Sequence, residues 1–540
     1  MEIELVDKII EAHMEPQFAR ERIKSLNGVW QCNGHMINVP YAPEAKLSSY
    51  EAREEVLDEN WDGHLTYENN FELPKEFALP RVLIHFGAVD QVADIYVNGV
   101  HVGHHEGGYL SFVLDITDAV KKQQNNVLRV EVVDTLSTEY PYGKQHKQPH
   151  GMWYTTVSGI WKSVWLENVP EEYVKKWKIK PSLSSVTFIA KTNMGNTYKK
   201  KLEISSPQRW TPDNPKLYPV KVKLGEDVFY SYFALRTINI QNIDGVNRVC
   251  LNDKPVFMHG VLDQGYWPEG IYTPPSREAY EQDILAMKNL GFNMLRKHVK
   301  VEAPYYYYLC DKLGMMVCQD MVQNGSYSYI RDTALPNLSL KRRKDTRNVK
   351  GDESRRKIFI GHCRDTIAEV YNHPSVVMYT IFNEGWGQFQ SDRLYELLKE
   401  LDPDRLFDST SGWFAQTKSD FDSEHIYFRN KRLHPKVRPM FLKECGGYVL
   451  PIENHLWNND EKYGYGVCKS REQLTAKIED LYEEMVIPAI PKGLCGCVFT
   501  QLSDVENEIN GLFTYDRKVC KVIEERMRQI AEKVSMDLLF

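Results

Sequence analysis

Ser375-Val-Val-Met-Tyr-Thr-Ile-Phe-Asn383-Glu384 is an apolar run of strand length that ends on a carboxylate. β-Branched and aromatic residues dominate it and polar loops flank it, so it reads as a strand buried on both faces. Pro439-Met-Phe-Leu-Lys-Glu444 repeats the pattern. A charge at the C-terminal end of such a strand sits where barrel enzymes keep their chemistry. Two of them suggest a carboxylate pair, the equipment of glycosidic-bond hydrolysis.

Outward from these runs, strands alternate with helices throughout residues 244–540. Val256-Phe-Met-His-Gly260 reads as a strand and Ser276 to Leu290 as a helix, with Ser276 as N-cap and Ala279, Ile284, Leu285 and Met287 on its apolar side. Phe292 to Arg296, a Tyr-rich helix, Met315 to Asp320 and a helix from Glu353 to Tyr371 lead into the Glu384 strand. Further strands are expected near Leu406–Thr410, His425–Phe428, Met440–Glu444 and Leu494–Thr500. Eight such units make a C-terminal (β/α)8 TIM barrel, with Glu384 ending strand four and Glu444 ending strand seven.

Residues 1–168 have an all-β texture, expected to form an N-terminal β-sandwich of jelly-roll type. Ala93-Asp-Ile-Tyr-Val97 and Val100-His-Val102 flank Asn98-Gly99, a strong hairpin signal. Val82 to Phe86, Val127 to Val132 and Trp161 to Leu166 continue the alternation. Residues 169–243 hold a smaller β-region, including Lys201-Leu-Glu-Ile204 and Tyr218 to Leu224. Its length suits an immunoglobulin-like module near the lower size limit of that fold.

The chain has 540 residues, too many for one ordinary core, and its net charge of −7 does not point to nucleic acid. Its 11 Trp and 31 Tyr serve large cores and can also stack on sugar rings. No apolar stretch approaches the roughly 20 residues of a membrane span. Met1 to Ala19 is charged and lacks the apolar core of a signal peptide. The ten cysteines are scattered without paired metal-ligand spacing, which points to a reduced, cytoplasmic protein. Neither a metal nor another cofactor is expected. The basic run Lys341-Arg-Arg-Lys344, continued by Arg347, falls in the long connection after strand three; a solvated loop is the plainer reading, a basic lip at the cleft the alternative.

The order of sandwich, small immunoglobulin-like module and barrel resembles glycoside hydrolase family 2, the family of β-galactosidases, β-glucuronidases and β-mannosidases. The resemblance rests on Leu26-Asn-Gly-Val-Trp30, the Asn98-Gly99 hairpin with His105-Glu-Gly-Gly-Tyr109, Gly159-Ile-Trp161, Leu217-Tyr218 and Leu235-Arg236-Thr237-Ile238. In the barrel, Asn383-Glu384 after His373-Pro-Ser375 looks like the family's acid/base motif, and Glu444 before Cys-Gly-Gly looks like its nucleophile.

The resemblance implies a retaining exo-β-glycosidase. Glu384 would protonate the leaving oxygen and Glu444 would stay ionised to attack the anomeric carbon. Asn383 would contact the sugar 2-hydroxyl, and Tyr427 would hold Glu444. His425, two residues earlier, points to the same side as Tyr427; a structural role is equally open. His298 is a candidate for sugar hydroxyls, although Arg296-Lys297-His298 is one residue short of the family's Arg-x-x-His spacing. Trp386 and Trp413 stand at loop positions facing the cleft, as floor or aglycone subsite, with core packing as the rival reading, and Asp263 after strand one is a further candidate.

β-Glucuronidases of the family carry an Asn-x-Lys pair before a Gly-x-Phe segment after strand eight. Here the stretch is Glu506-Asn-Glu-Ile-Asn-Gly511-Leu-Phe513, without the lysine and with acidic neighbours. A neutral sugar is therefore expected, with galactose as the default label and mannose, arabinopyranose or another pentose open. A glucuronidase or galacturonidase that reads the carboxylate by another route is one alternative, and a carbohydrate-binding protein without catalysis is another. The only partner expected besides a carbohydrate is a second copy of the chain, since homo-oligomers are common in the resembled family. The sandwich loop His104 to Tyr109 is the candidate for reaching the cleft; service in a subunit interface only is equally open.

Overall fold

The computed structural model describes residues 2–328, 330, 332, 345, 352–427, 430–435, 437–458 and 462–536. The basic run from Lys341 to Arg347 lies outside them apart from Asp345, and Phe428 lies outside as well.

Eight parallel strands form the barrel: Met258–Asp263, Met294–Lys297, Met316–Asp320, Val376–Asn383, Leu406–Ser411, Asp422–Ile426, Met440–Gly446 and Leu494–Thr500. The first pairs with both the second and the eighth. Strands five and six meet where Ser423 Oγ donates to the Thr410 carbonyl at 2.9 Å. Side chains alternate between lumen and helix layer, as a barrel requires. Met258, Leu262, Met294, Met316, Met378, Phe441 and Val498 fill the lumen. Val261, Leu295, Val317, Tyr379 and Leu442 pack outward under the helices.

Strand six differs from its expected span. It begins with Asp422, Ser423 and Glu424, which carry no apolar signal, so the sequence marks only its end. Below the lumen, the hairpin Ile238–Ile243 with Val246–Leu251 closes the barrel floor, sharing a core with Trp210. The expected boundary between residues 243 and 244 thus falls in the turn of a hairpin that belongs to that floor.

The sandwich pairs a six-stranded sheet with a four-stranded one, both antiparallel. Trp30, Tyr67, Phe86, Ile95, Leu128 and Leu166 fill the space between them. Asn98 and Gly99 turn its hairpin at φ 52° and 82°, the positive pair that a tight two-residue turn needs. The immunoglobulin-like module has five strands among the described residues, three in one sheet and two in the other, around Ile179, Val186, Phe188 and Phe233.

Residues 2–19 lie elsewhere than the sandwich to which the sequence assigns them. Ile10, on the helix Glu2–Ala12, packs on Tyr230, Tyr232 and Tyr308, and Ala19 bridges to Tyr230. The helix therefore rests on the immunoglobulin-like module and on a barrel helix. Arg20 then ties the modules together, donating to Glu167 at 2.8 Å and to Asp227 at 3.0 Å.

One connection of the sandwich positions the site. Between strands Asn125–Val133 and Gly159–Ile160 the chain crosses onto the barrel mouth. Tyr142 donates its N–H to the Gln323 carbonyl at 3.1 Å and its hydroxyl to Gly325 at 3.0 Å. Tyr154 donates its hydroxyl to Glu508, and Thr155 N donates to Glu506 at 3.1 Å.

Candidate active site

Strand four stops where its backbone leaves the β region. Glu384 has φ 51° and Gly385 φ 75°. A non-glycine residue in the left-handed region stores about 1–3 kcal/mol of strain, a cost that recurs at functional sites. Glu384 N donates to the Ser411 carbonyl and Trp386 N to Asn383, each at 3.0 Å, and these bonds fix the turn. At Gly385 a Cβ would come within 2.3 Å of the Phe414 ring, so the motif admits only glycine there. Strand seven carries Glu444 in a register slip against strand eight, between Leu442 and Cys445.

The two turns bring the carboxylates together. One donor atom each of Glu384, His425 and Glu444 lies within 4.8 Å of the others. The sequence offers no metal constellation, yet the fold makes this one convergent group. Carboxyl groups about 5–5.5 Å apart suit double displacement, whereas inversion needs roughly 6.5–9.5 Å to admit a water.

Glu444 is held as an anion. Its Oε1 accepts Arg296 Nη1 at 2.8 Å and its Oε2 accepts the Tyr427 hydroxyl. Burial pushes this carboxyl up, but the charges of His425, Arg296 and His298 and the Tyr427 hydroxyl bring it down to about 2. Tyr465 stacks on Tyr427 with ring centroids 4.3 Å apart.

His425 joins the pair. Its Nδ1 is 2.7 Å from Glu384 Oε1 and 3.7 Å from Glu444 Oε2, and its Nε2 is 2.8 Å from Ser411 Oγ. With a neutral imidazole, two proton arrangements satisfy this chain. In one, Glu384 is protonated and donates to Nδ1 while Nε2–H donates to Ser411. In the other, Ser411 donates to Nε2 and Nδ1–H donates to the Glu384 carboxylate.

Arg296 organises the floor. Besides Glu444 it donates to Asp320 at 3.0 Å and, through Nη2, to Asn383 Oδ1 at 2.9 Å. Asn383 is thereby turned so that its amide N–H groups remain as donors for a ligand. His298 Nδ1 is 2.7 Å from Asp320 Oδ2, which leaves its Nε2 without a partner among the described residues. Residues two apart on a strand point to one side. Arg296 and His298 thus both reach Asp320, and the shortened spacing is what lets them share it.

Asp263 is placed differently from its expected role. It forms an ion pair with Lys297 at 2.7 Å and accepts Gly265 N at 2.9 Å, a bonding set that stands apart from Glu384 and Glu444. Trp386 is not an open platform either. It is 3% exposed, donates to the Gly325 carbonyl at 2.8 Å and packs against Tyr142 and Trp153 of the sandwich connection. Trp413 sets its edge on His425, with centroids 5.4 Å apart, and donates to the Glu384 carbonyl at 3.2 Å. It buttresses the acid side from behind.

The expected sandwich loop is also corrected. His104 pairs with Asp94 on the surface, and Tyr109 is buried against Tyr272, whereas residues 136–154 reach the barrel mouth. Sequence reasoning missed Asp320, Tyr465 and Glu508. A long connection rich in Tyr, Trp, Pro and Gly was the available signal for the sandwich contribution.

Three family models match the chain. "Glycosyl hydrolases family 2, TIM barrel domain" covers residues 242–477, "Glycosyl hydrolase 2 galactose-binding domain-like" covers 42–179, and "Glycosyl hydrolases family 2" covers 168–236. A β-galactosidase of Thermoanaerobacter pseudethanolicus is 23% identical over 79% of this chain, which spans only 59% of that relative's length. Among solved structures, a β-D-glucuronidase of Dictyoglomus thermophilum superposes with a TM-score of 0.74 at 18% identity, covering 96% of this chain and 98% of the other. A β-galacturonidase of Eisenbergiella tayi bound to galacturonate gives 0.70 at 16% identity, with 96% and 98% covered.

Proposed function

This chain belongs to glycoside hydrolase family 2, and from that premise we propose that it is a retaining exo-β-glycosidase acting by double displacement. The convergence of Glu384 and Glu444 within 4.8 Å carries this reading. Glu444, ionised between Arg296 and Tyr427, attacks the anomeric carbon as Glu384 gives its proton to the departing oxygen. The glycosidic C–O bond breaks and an ester to Glu444 forms. Glu384, now a carboxylate, takes a proton from water, whose oxygen displaces Glu444 and restores the β configuration. Asn383 and His298 supply donors for the sugar, and the sandwich connection walls one side of the cleft, which suits removal of a single terminal residue.

Sequence relatives named β-galactosidases favour a neutral sugar, as the missing lysine after strand eight does. Charge within the cleft bears on that choice more directly than a relative's name. A panel of nitrophenyl β-glycosides (galactoside, glucuronide, mannoside, glucoside, arabinopyranoside and xyloside) tests the reading, with Glu384→Gln and Glu444→Gln as controls. Hydrolysis of one sugar, lost in both variants, is the expected result. Turnover that survives either substitution would overturn the assignment. Sugar binding without any turnover would favour a binding protein instead.

A further inference from the structure

Lys144 is a largely buried residue whose ammonium has no ion pair among the described residues. It is 8% exposed, and among the described residues its ammonium makes no hydrogen bond and has no carboxylate within ion-pair reach. Its nearest aromatic companion is the Trp153 ring, 5.9 Å away at the centroid, near the limit of a cation–π contact.

The surrounding bonds place Lys144 over the barrel mouth. Tyr142, two residues before, is tied to Gln323 and Gly325 beyond strand three. Gly143 (φ 61°) lies so close to the segment after strand two that a Cβ would stand 2.9 Å from the Val299 carbonyl, one residue past His298. The Lys144 carbonyl accepts Tyr154 N at 2.9 Å, and the Tyr154 hydroxyl is held by Glu508 beyond strand eight. Lys144 therefore stands among the loops that follow strands two, three and eight. Its charge is felt there: after burial and against Asp320 it lowers the basicity of His298, and it is the chief influence opposing the rise that burial imposes on Glu508.

The acidic stretch after strand eight, which argued from the sequence against an acidic sugar, is not a free anionic rim. Glu506 accepts Thr155 N at 3.1 Å, and burial lifts its carboxyl to about 7. Glu508 accepts the Tyr154 hydroxyl and Asn510 Nδ2, the latter at 2.9 Å. Both fasten the sandwich to the barrel, and the Lys144 charge bears on Glu508 there.

We propose that Lys144 reads an acidic terminal sugar, its ammonium receiving the carboxylate of a hexuronate seated over Glu444. The inference rests on the retaining-glycosidase reading of this cleft and names its substrate class. The cation is supplied by a different domain from the one in which the sequence was searched for it. A neutral sugar would offer the ammonium no carboxylate, so discrimination comes from attraction to the right ligand.

Calorimetric titration of the full chain with free glucuronate, galacturonate, glucose and galactose tests this, using wild type, Lys144→Met and Lys144→Arg. One uronate is expected to bind about 10- to 100-fold more tightly than its neutral counterpart. That preference should vanish in Lys144→Met, largely persist in Lys144→Arg, and weaken with added salt. Lys144→Gln replaces the Met variant if thermal melting shows that it misfolds. No uronate preference in wild type, or a preference that survives removal of the charge, would overturn the proposal. Kinetics on the matching nitrophenyl glycosides separate the two readings. Turnover of neutral glycosides alone would remove Lys144's role and leave the glycosidase standing. Lys144-dependent uronate binding with no turnover of any glycoside would do the reverse.

Discussion

Replacing Tyr427 with Phe takes one hydroxyl from the nucleophile and keeps the ring that stacks on Tyr465. The lost bond runs to an ionised carboxylate, a class worth about 1.5–3 kcal/mol. Glu444 is held at about 2, with burial pulling it up and His425, Arg296, His298 and Tyr427 pulling it down. At about 1.4 kcal/mol per pKa unit, removing the hydroxyl lifts it by about one to two units. Glu444 must be ionised to attack, so the acid limb of kcat/KM, which reports the free enzyme, moves to higher pH by that amount. At pH 7 the group stays ionised in both proteins. The second displacement is affected even there, because Glu444 regains its charge as it leaves and the hydroxyl stabilises that charge. This step should slow by about 10- to 100-fold. Stopped-flow assays with an activated nitrophenyl glycoside would then show a burst of nitrophenol in Tyr427→Phe. An unmoved acid limb together with no burst would refute the claim that Tyr427 stabilises the ionised nucleophile.

Gly143→Ala forces a Cβ into a left-handed position facing the Tyr109 hydroxyl and the Val299 carbonyl, at 2.8 and 2.9 Å. The backbone cost alone is about 1 kcal/mol, so the melting temperature should fall, and the displaced connection should raise KM more than it lowers kcat. Asp320→Asn removes the anion shared by Arg296 and His298. Breaking a buried pair this way costs about 3–5 kcal/mol, which thermal unfolding would register. EDTA should leave activity unchanged, whereas added Zn2+ should inhibit by occupying the convergent atoms of Glu384, His425 and Glu444. Inhibition should weaken as pH falls, because metal ligands must be deprotonated; loss of activity on chelation would contradict the metal-free mechanism.

The two carboxylates were legible because each ends an apolar strand, and a charge at the end of a fully buried strand is costly unless partners or a reaction use it. The Asn98-Gly99 hairpin was legible because a two-residue turn dictates its own chemistry. Strand six was only half legible, since Asp422, Ser423 and Glu424 face polar partners and carry no apolar run. Asp320 ends its strand much as Glu384 does, and nothing local shows that its charge goes to Arg296 and His298. The placement of residues 2–19 rests on Ile10 and Ala19 meeting Tyr230, a contact between segments far apart in sequence. Lys144 was hidden for the same reason. It reaches the cleft from the sandwich, and only the fold brings it beside His298.

The central claim is that Glu444 forms a covalent bond to the sugar within reach of Glu384. A 2-deoxy-2-fluoro-β-glycoside of the sugar turned over in the panel slows both displacements and, with a good leaving group, lets the intermediate accumulate. Peptide mass spectrometry of the inactivated protein should find the fluorosugar on Glu444 and nowhere else. Label on another residue, or time-resolved proton NMR in which the α-anomer of the product appears first, would contradict it.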